Sequence, residues 1–282
     1  MYAQMTGLAL FGLQGMIVQV EVDLANGLPN FDLVGLPDSS VREAKDRVRA
    51  ALRNSGFDFP LQRITANLAP AGLRKEGAGY DLSLALGILA AGGMIPQGLP
   101  DSFAAVGELA LDGTLRPVHG MLSLALAARE HGLKKLLVAQ NNAREAALVS
   151  GIEVYGVASL RQAYEYVTGK RTLEPYVAEP SDRGRQEISD KEDFAEIKGQ
   201  PHVKRALEIA AAGSHNVLLI GPPGSGKTML IRRLPSILPP LTDAESLEVT
   251  QVYSVSGLLS QNGPLLRTRP YRSPITRSPT VV

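Results

Sequence analysis

The chain has 282 residues, of which 44% are hydrophobic, and a formal net charge of +1. That length and apolar content suit two domains with cores of their own, and the balanced charge excludes a global bias toward nucleic acid or membrane, so any such partner would meet a local patch. The absence of cysteine excludes disulfides and thiolate metal sites; with no basic-then-apolar opening and no apolar run of membrane length (Leu82 to Met94 is too short), a cytoplasmic protein is expected.

In chain order, Ile17 to Leu24 alternates apolar and polar residues, the period of a half-buried strand. A second extended run, Phe31 to Leu36, follows Asn26-Gly27-Leu28-Pro29-Asn30, whose turn signals predict a hairpin. Asp38 or Ser39 then caps a helix in which Val41, Ala44, Val48, Ala51 and Leu52 recur at helical spacing until Gly56. Its other face carries Arg42, Lys45, Arg47, Arg49 and Arg53; with Glu43 and Asp46 interspersed, this reads either as a solvated face or as a surface for nucleic acid or a partner.

Arg63 to Leu68 is a further predicted strand, and Pro70 to Gly79 a glycine- and charge-rich loop before an apolar helix from Leu82 to Gly92. That loop lacks the Gly-Lys-Ser/Thr ending of a phosphate loop, and Asp81 at the helix start would repel an anion. Asp112-Gly113 between Phe103–Ala110 and Thr114–Val118 predicts a second hairpin. Helices from Met121 to Glu130, Ala143 to Val149 and Leu160 to Val167 alternate with strands Lys135–Val138 and Val154–Val157, completing an α+β domain of residues 1–170. Residues 171–192, with Pro175, Pro180 and a dense run of charges, read as a linker.

Within the first domain, Lys75-Glu76-Gly77-Ala78-Gly79-Tyr80, Val106-Gly107-Glu108-Leu109 and Pro117-Val118-His119-Gly120-Met121-Leu122 resemble the proteolytic domain of Lon-type proteases, whose fold is similar to ribosomal protein S5 domain 2. The resemblance puts Gly79 at the serine position and Leu122 at the lysine position of that family. No catalytic residue is expected, because a nucleophile needs an attacking atom and an activating neighbour, and Ser83 and Ser123 lie nearby without a placed base.

The second domain, residues 193–282, opens with Phe194-Ala195-Glu196-Ile197-Lys198-Gly199-Gln200 and a helix from Pro201 to Ala212 with proline in its first turn. An apolar run, Asn216 to Ile220, reads as a buried strand and leads into Gly221-Pro222-Pro223-Gly224-Ser225-Gly226-Lys227-Thr228 and a helix start. The spacing G-x-x-x-x-G-K-[ST] between a strand and a helix is that of a phosphate-binding loop. Its glycines let consecutive N–H groups point at an anion; Lys227 would reach the β- and γ-phosphates of ATP, and the Thr228 hydroxyl would ligate Mg²⁺. No other metal is expected, since His119, His131, His202 and His215 show no paired ligand spacing.

Phe194-x-x-Ile197-x-Gly199-Gln200, Lys204 to Gly213 and His215 to Ile220, taken with the loop, resemble AAA+ ATPases of the magnesium-chelatase subfamily, and the pairing with a Lon-like domain is similar to the competence-protein ComM, or YifB, type. The match runs from Thr6 to about Tyr271. The resemblance implies an α/β P-loop domain, Ile197, Gly199 and Gln200 beside the adenine, and a hexameric motor that promotes branch migration of DNA during uptake and recombination. Such an ATPase also needs an acidic Walker B pair, a sensor and an arginine from a neighbouring subunit. Asp243, Glu245 and Glu248 do not follow an apolar strand, so hydrolysis is not expected of this chain, and the resemblance implies that a hexamer is not expected either, since subunit contacts in such motors come largely from parts absent here. After Pro274 the family pattern gives way to Ile275-Thr276-Arg277, as a one-base frameshift would produce, and a C-terminally truncated second domain is the expectation.

Overall fold

A computed structural model describes residues 1–72, 75–96, 103–178, 193–259 and 265–271. The expected linker beyond residue 178, Arg74 of the first glycine-rich loop and the ending from Arg272 onward lie outside the described residues. The chain divides into two compact units, one of residues 1–183 with 250–265, the other of residues 184–249 with 266–282.

The first unit is a mixed, mostly parallel sheet clothed by helices. Strand β1 (Tyr2–Phe11) turns at Gly12, whose φ of +60° suits a tight reversal, into β2 (Gln14–Ala25), and the two pair antiparallel from Tyr2 opposite Asp23 to Phe11 opposite Gln14. The alternation in β2 holds: Val18, Val20, Val22 and Leu24 are buried and the residues between them are more exposed. The partner expected for β2 is wrong. Strand β3 (Asn30–Val34) pairs in parallel with β4 (Arg63–Ala69), and β2 is already flanked by β1 on one edge and β4 on the other. A parallel pair needs a crossover, which is the capped helix α1 (Ser39–Asn54).

Helix α1 begins where the Asp38 carboxylate accepts the Val41 N–H at 2.8 Å, and all five residues of its apolar stripe are buried. Asp38→Ala should lower the unfolding free energy by about 1 kcal/mol, measurable by urea titration. Helix α2 (Asp81–Ala91) is apolar all round and almost wholly buried, as suits a helix inside a core. Its first residue, Asp81, is fully buried and takes Arg47 away from the basic face of α1: Arg47 Nε donates to Oδ2 at 2.7 Å and Nη2 to Oδ1 at 3.0 Å.

The second predicted hairpin is split. Phe103–Val106 forms β5 inside the large sheet, and only β6 (Glu108–Leu109) and β7 (Leu115–Arg116) pair across the Asp112-Gly113 turn. Helix α3 (Met121–Glu130), β8 (Lys135–Ala139), α4 (Gln140–Ala146), β9 (Glu153–Val157) and α5 (Leu160–Val167) complete the parallel half. The strand order is β3-β4-β2-β1-β5-β8-β9. Phe103, Ala105, Leu137, Tyr155 and Val157 join one core with α1, α2 and α5, while the alternate residues Ala104, Val106, Leu136, Val138 and Val154 are equally buried outside it. Both sheet faces are therefore covered. Helix α3 packs on β1 and β2, and α4 on β8 and β9.

The second unit contains a 3-10 turn at Phe194–Glu196, α6 (Pro201–Gly213), α7 (Lys227–Arg233), a 3-10 turn at Leu234–Ile237 and the first part of α8 (Asp243–Val255). A small core of Phe194, Ile197, Leu207 and Leu230 is flanked by Val203, Leu219, Ile231, Leu234 and Ile237. The run Asn216–Ile220, read as a buried strand, enters no ladder, and Leu218 and Ile220 are 82% and 88% exposed. A strand is defined by its hydrogen-bonded neighbour, and among the described residues of this unit no other extended segment supplies one. No described helix is long and apolar enough to cross a membrane.

Candidate functional site

In the second unit the chain from Ile220 to Lys227 forms an open loop at the start of α7. Gly224 and Gly226 have φ of +79° and +85°, a region that L side chains rarely occupy, so these two positions of the motif are glycine for a conformational reason. At Gly224 a side chain would meet nothing within 4 Å, which makes backbone conformation, rather than space, the constraint there.

Lys227 folds back over the loop. Its ammonium donates to the carbonyls of Gly221 and Pro222, both at 2.7 Å, and to Ser225 Oγ at 3.1 Å. Gln200, itself at φ +53°, donates its side-chain amide to the Ser225 carbonyl at 3.0 Å and so ties the start of α6 to the loop. Among the described residues, the N–H groups of Gly224, Gly226, Lys227 and Thr228 have no acceptor, the state expected of a loop and first helical turn that can receive an anion. The Thr228 side chain is exposed beside them.

A cavity of about 350 Å³ lies against this loop, lined by the polar side chains of Gln200, His202, Ser225 and Lys227, by Gly221 and Pro222, and by the apolar Val203, Leu219, Ile220 and Leu230. Of the residues anticipated for the site, Gly221 to Thr228 form one loop, Gly199 lies at φ +73° just before Gln200, and Gln200 touches the loop directly. Ile197 is set apart: it is buried in the small core, and its carbonyl accepts the Lys204 ammonium. The cavity wall formed by His202, Val203 and Leu219 was not anticipated. Its signal was available, since His202 and Val203 follow Gln200 in the first turn of α6 and Leu219 is the half-buried member of the apolar run.

The donor set fits a nucleotide polyphosphate: a cation, clustered free N–H groups, a hydroxyl and an adjoining apolar pocket. Among the described residues no group of three or more histidine, aspartate or glutamate side chains could hold a metal ion, and the Thr228 hydroxyl is a candidate oxygen ligand at the loop. Of the three acidic residues on the first part of α8, Glu245 takes part in a reciprocal cap with Thr242 and pairs with Arg269 at 3.1 Å, and Asp243 pairs with Arg267 at 2.6 Å.

In the first unit, the position matched to the Lon serine, Gly79, lies in the loop before α2, and Leu122, matched to the lysine, is buried in α3. Ser83 Oγ donates to the Tyr80 carbonyl at 3.0 Å, and Ser123 is buried with Gln251 Nε2 at 3.5 Å. Among the described contacts neither hydroxyl is paired with a basic side chain.

Two family models match, described as subunit ChlI of Mg-chelatase over residues 20–142 and magnesium chelatase, subunit ChlI, over residues 193–281. The competence protein ComM of Haemophilus influenzae is 45% identical over 269 residues, 94% of this chain and 52% of the relative. The uncharacterized protein YifB of Escherichia coli K12 is 42% identical over 266 residues, 94% of this chain and 51% of the relative. Lon protease 2 of Bacillus subtilis is 25% identical over 180 residues, 57% of this chain and 32% of that protease. The chain belongs to the ComM/YifB type of magnesium-chelatase-like proteins, and it spans about half the length of ComM and YifB.

Proposed function

We propose that the Gly221–Thr228 loop binds the phosphates of ATP with Mg²⁺, and that the chain is the nucleotide-binding part of a ComM/YifB-type AAA+ protein working on DNA during uptake and recombination. The observation that carries this reading is the convergence of Lys227 with the acceptor-less N–H groups of Gly224, Gly226, Lys227 and Thr228 on one exposed loop. On binding, the Lys227 ammonium would exchange its carbonyl partners for β- and γ-phosphate oxygens, and the Thr228 hydroxyl would meet Mg²⁺. Gln200 would hold the loop in place with Gly199 beside it on the adenine side, while Ile197, buried in the small core, would support that segment from behind. Mg²⁺-bound ATP would supply a phosphoryl group whose transfer requires a carboxylate to position water. Asp243 and Glu245, at the start of α8, are engaged by Arg267 and Arg269, so this chain alone is expected to bind ATP with little turnover.

Titration of a fluorescent ATP analogue in Mg²⁺ tests the reading. Lys227→Ala removes charged hydrogen bonds and should weaken binding by about 10- to 150-fold. An affinity equal to that of the parent would overturn it and leave a non-catalytic Lon-like module, binding a partner or DNA, with a vestigial nucleotide site.

A further inference from the structure

Helix α1 carries a second feature, distant in sequence from the glycine loop. Arg42, Lys45, Arg49 and Arg53 are spaced three, four and four residues apart, so they follow one side of the helix over about 16 Å. A solvated charged face ordinarily answers its cations with carboxylates three or four residues away. Asp46 occupies such a place relative to both Arg42 and Arg49, yet among the described residues none of the four cations forms an ion pair; Glu43 and Asp81 pair with Arg47 instead. The first turn of α1 contains no acidic residue either.

Three guanidiniums are held on aromatic rings rather than on carboxylates. Arg49 and Arg53 lie over Phe59 at 5.2 and 6.0 Å from its centroid. Arg161, from α5, lies over Phe57 at 5.1 Å and donates to the carbonyl of Ser55, the residue that caps the C-terminus of α1. It extends the array by one more cation. An arginine stacked on a ring keeps its charge and most of its donors available while losing little freedom on binding, which is a preorganised way to meet phosphate.

We infer that this array on α1 is a docking surface for the phosphodiester backbone of nucleic acid. Four of its five cations are arginine, whose planar donor fork suits phosphate oxygens. The cations recur about every 4.5 to 6 Å along the helix axis, so over about 16 Å they face a stretch along which one strand presents about five phosphates, one per about 3.4 Å. The residues interspersed with them, Glu43, Asp46 and Asn54, offer no apolar centre of the kind a protein interface needs. The array reads backbone only and carries no means of selecting sequence. This inference deepens the DNA side of the proposed function and does not depend on nucleotide binding.

Fluorescence anisotropy of the full chain with a labelled duplex of about 30 base pairs, between about 50 and 200 mM salt, is the test. Four to five phosphate contacts should give a slope of log affinity against log salt of about −4. Arg42→Gln/Lys45→Gln touches none of the described partners and should make the slope shallower by about 2, with an unchanged melting temperature. Adding Arg49→Gln and Arg53→Gln should remove most of the remaining dependence. Lys227→Ala should leave duplex binding and its slope unaltered, which separates this inference from the nucleotide reading. The inference is overturned by an undetectable parent affinity at low salt, by a slope that survives all four substitutions, or by loss of binding in Lys227→Ala. Tighter binding of a polyglutamate of matched charge, lost in the same variants, would assign the array to an acidic protein instead.

Discussion

Replacing Arg47 by alanine is expected to lower the unfolding free energy by about 3–5 kcal/mol, because it strands a carboxylate in the core. Asp81 is fully buried at the first turn of α2, and three donors hold it: Arg47 Nε, Arg47 Nη2 and the Leu109 N–H at 3.1 Å. Only the Leu109 bond would survive the substitution. The ion pair thus joins α1, α2 and the β6 strand, and its loss should be felt by the whole first unit. Asp81→Asn keeps an acceptor for Leu109 and leaves a guanidinium that is 19% exposed and can rehydrate, so a smaller loss, about 1–3 kcal/mol, is expected. Urea denaturation of both variants gives the comparison; equal losses would mean that the packing of Arg47 matters more than its charge.

The same pair sets a pH dependence. Burial pushes the Asp81 carboxyl up from 3.8 to about 6, against the pull of Arg47 and the Leu109 N–H. A carboxyl that holds its proton more tightly folded than unfolded makes stability fall as pH rises from about 4 through 6, and remain level above that. The raised value corresponds to about 3 kcal/mol across this window. Removing Arg47 raises the carboxyl further, so the deficit of Arg47→Ala should grow as pH rises above about 6 and shrink on acidification toward it, as a neutral Asp81 no longer needs a cation. A deficit independent of pH would show that the charge of Asp81 is not its origin.

Helix α1 was legible in the sequence down to its cap and its five buried residues, because a single amphipathic helix carries its own period. Strand β1 was not. It lies inside the sheet between β2 and β5, is interrupted by Gly7, and buries neighbouring residues of opposite faces such as Gly7 and Leu8, so no alternation marks it. The pairing of β3 with β4 was equally hidden, since a turn signal is local whereas the choice of neighbour depends on which edge of β2 remains free. Helix α8 had a signature that went unread: Thr242-Asp243-Ala244-Glu245 is a capping box, and Thr242 and Glu245 exchange its reciprocal bonds. In the candidate site the motif foretold which residues form the loop, but not that Lys227 would rest on the loop's carbonyls or that Ile197 would turn into the core. Motif spacing records what a ligand needs, while those two placements follow from packing and hydrogen bonding around it.

The exit from β3 is the place where a single methyl group should cost most. Gly35 has φ of +101°, and a Cβ there would stand 2.2 Å from the carbonyl oxygen of Leu68, 2.9 Å from its carbonyl carbon and 3.0 Å from its nitrogen. All three atoms belong to the backbone of β4, which cannot yield as a flexible side chain would. Gly35→Ala should therefore add left-handed strain of about 1–2 kcal/mol to an overpacking penalty of about 1–3 kcal/mol. Gly12→Ala separates the two terms. Gly12 also has positive φ, at +60°, but nothing lies within 4 Å of its would-be Cβ, so only the strain should appear. Denaturant unfolding should place Gly35→Ala about 2–5 kcal/mol below the parent and Gly12→Ala within about 2 kcal/mol of it. The consequence reaches beyond stability, because the segment that Gly35 begins, anchored where the Asp38 N–H donates to the Lys75 carbonyl at 3.0 Å, delivers the chain to the cap of α1. A backbone pushed away from Leu68 at this point would displace the start of that helix, and with it Arg42 and Lys45. Gly35→Ala should consequently weaken duplex binding under conditions where the variant is still folded, whereas Gly12→Ala should leave it intact; equal duplex affinities in the two variants would confine the effect of Gly35 to the sheet.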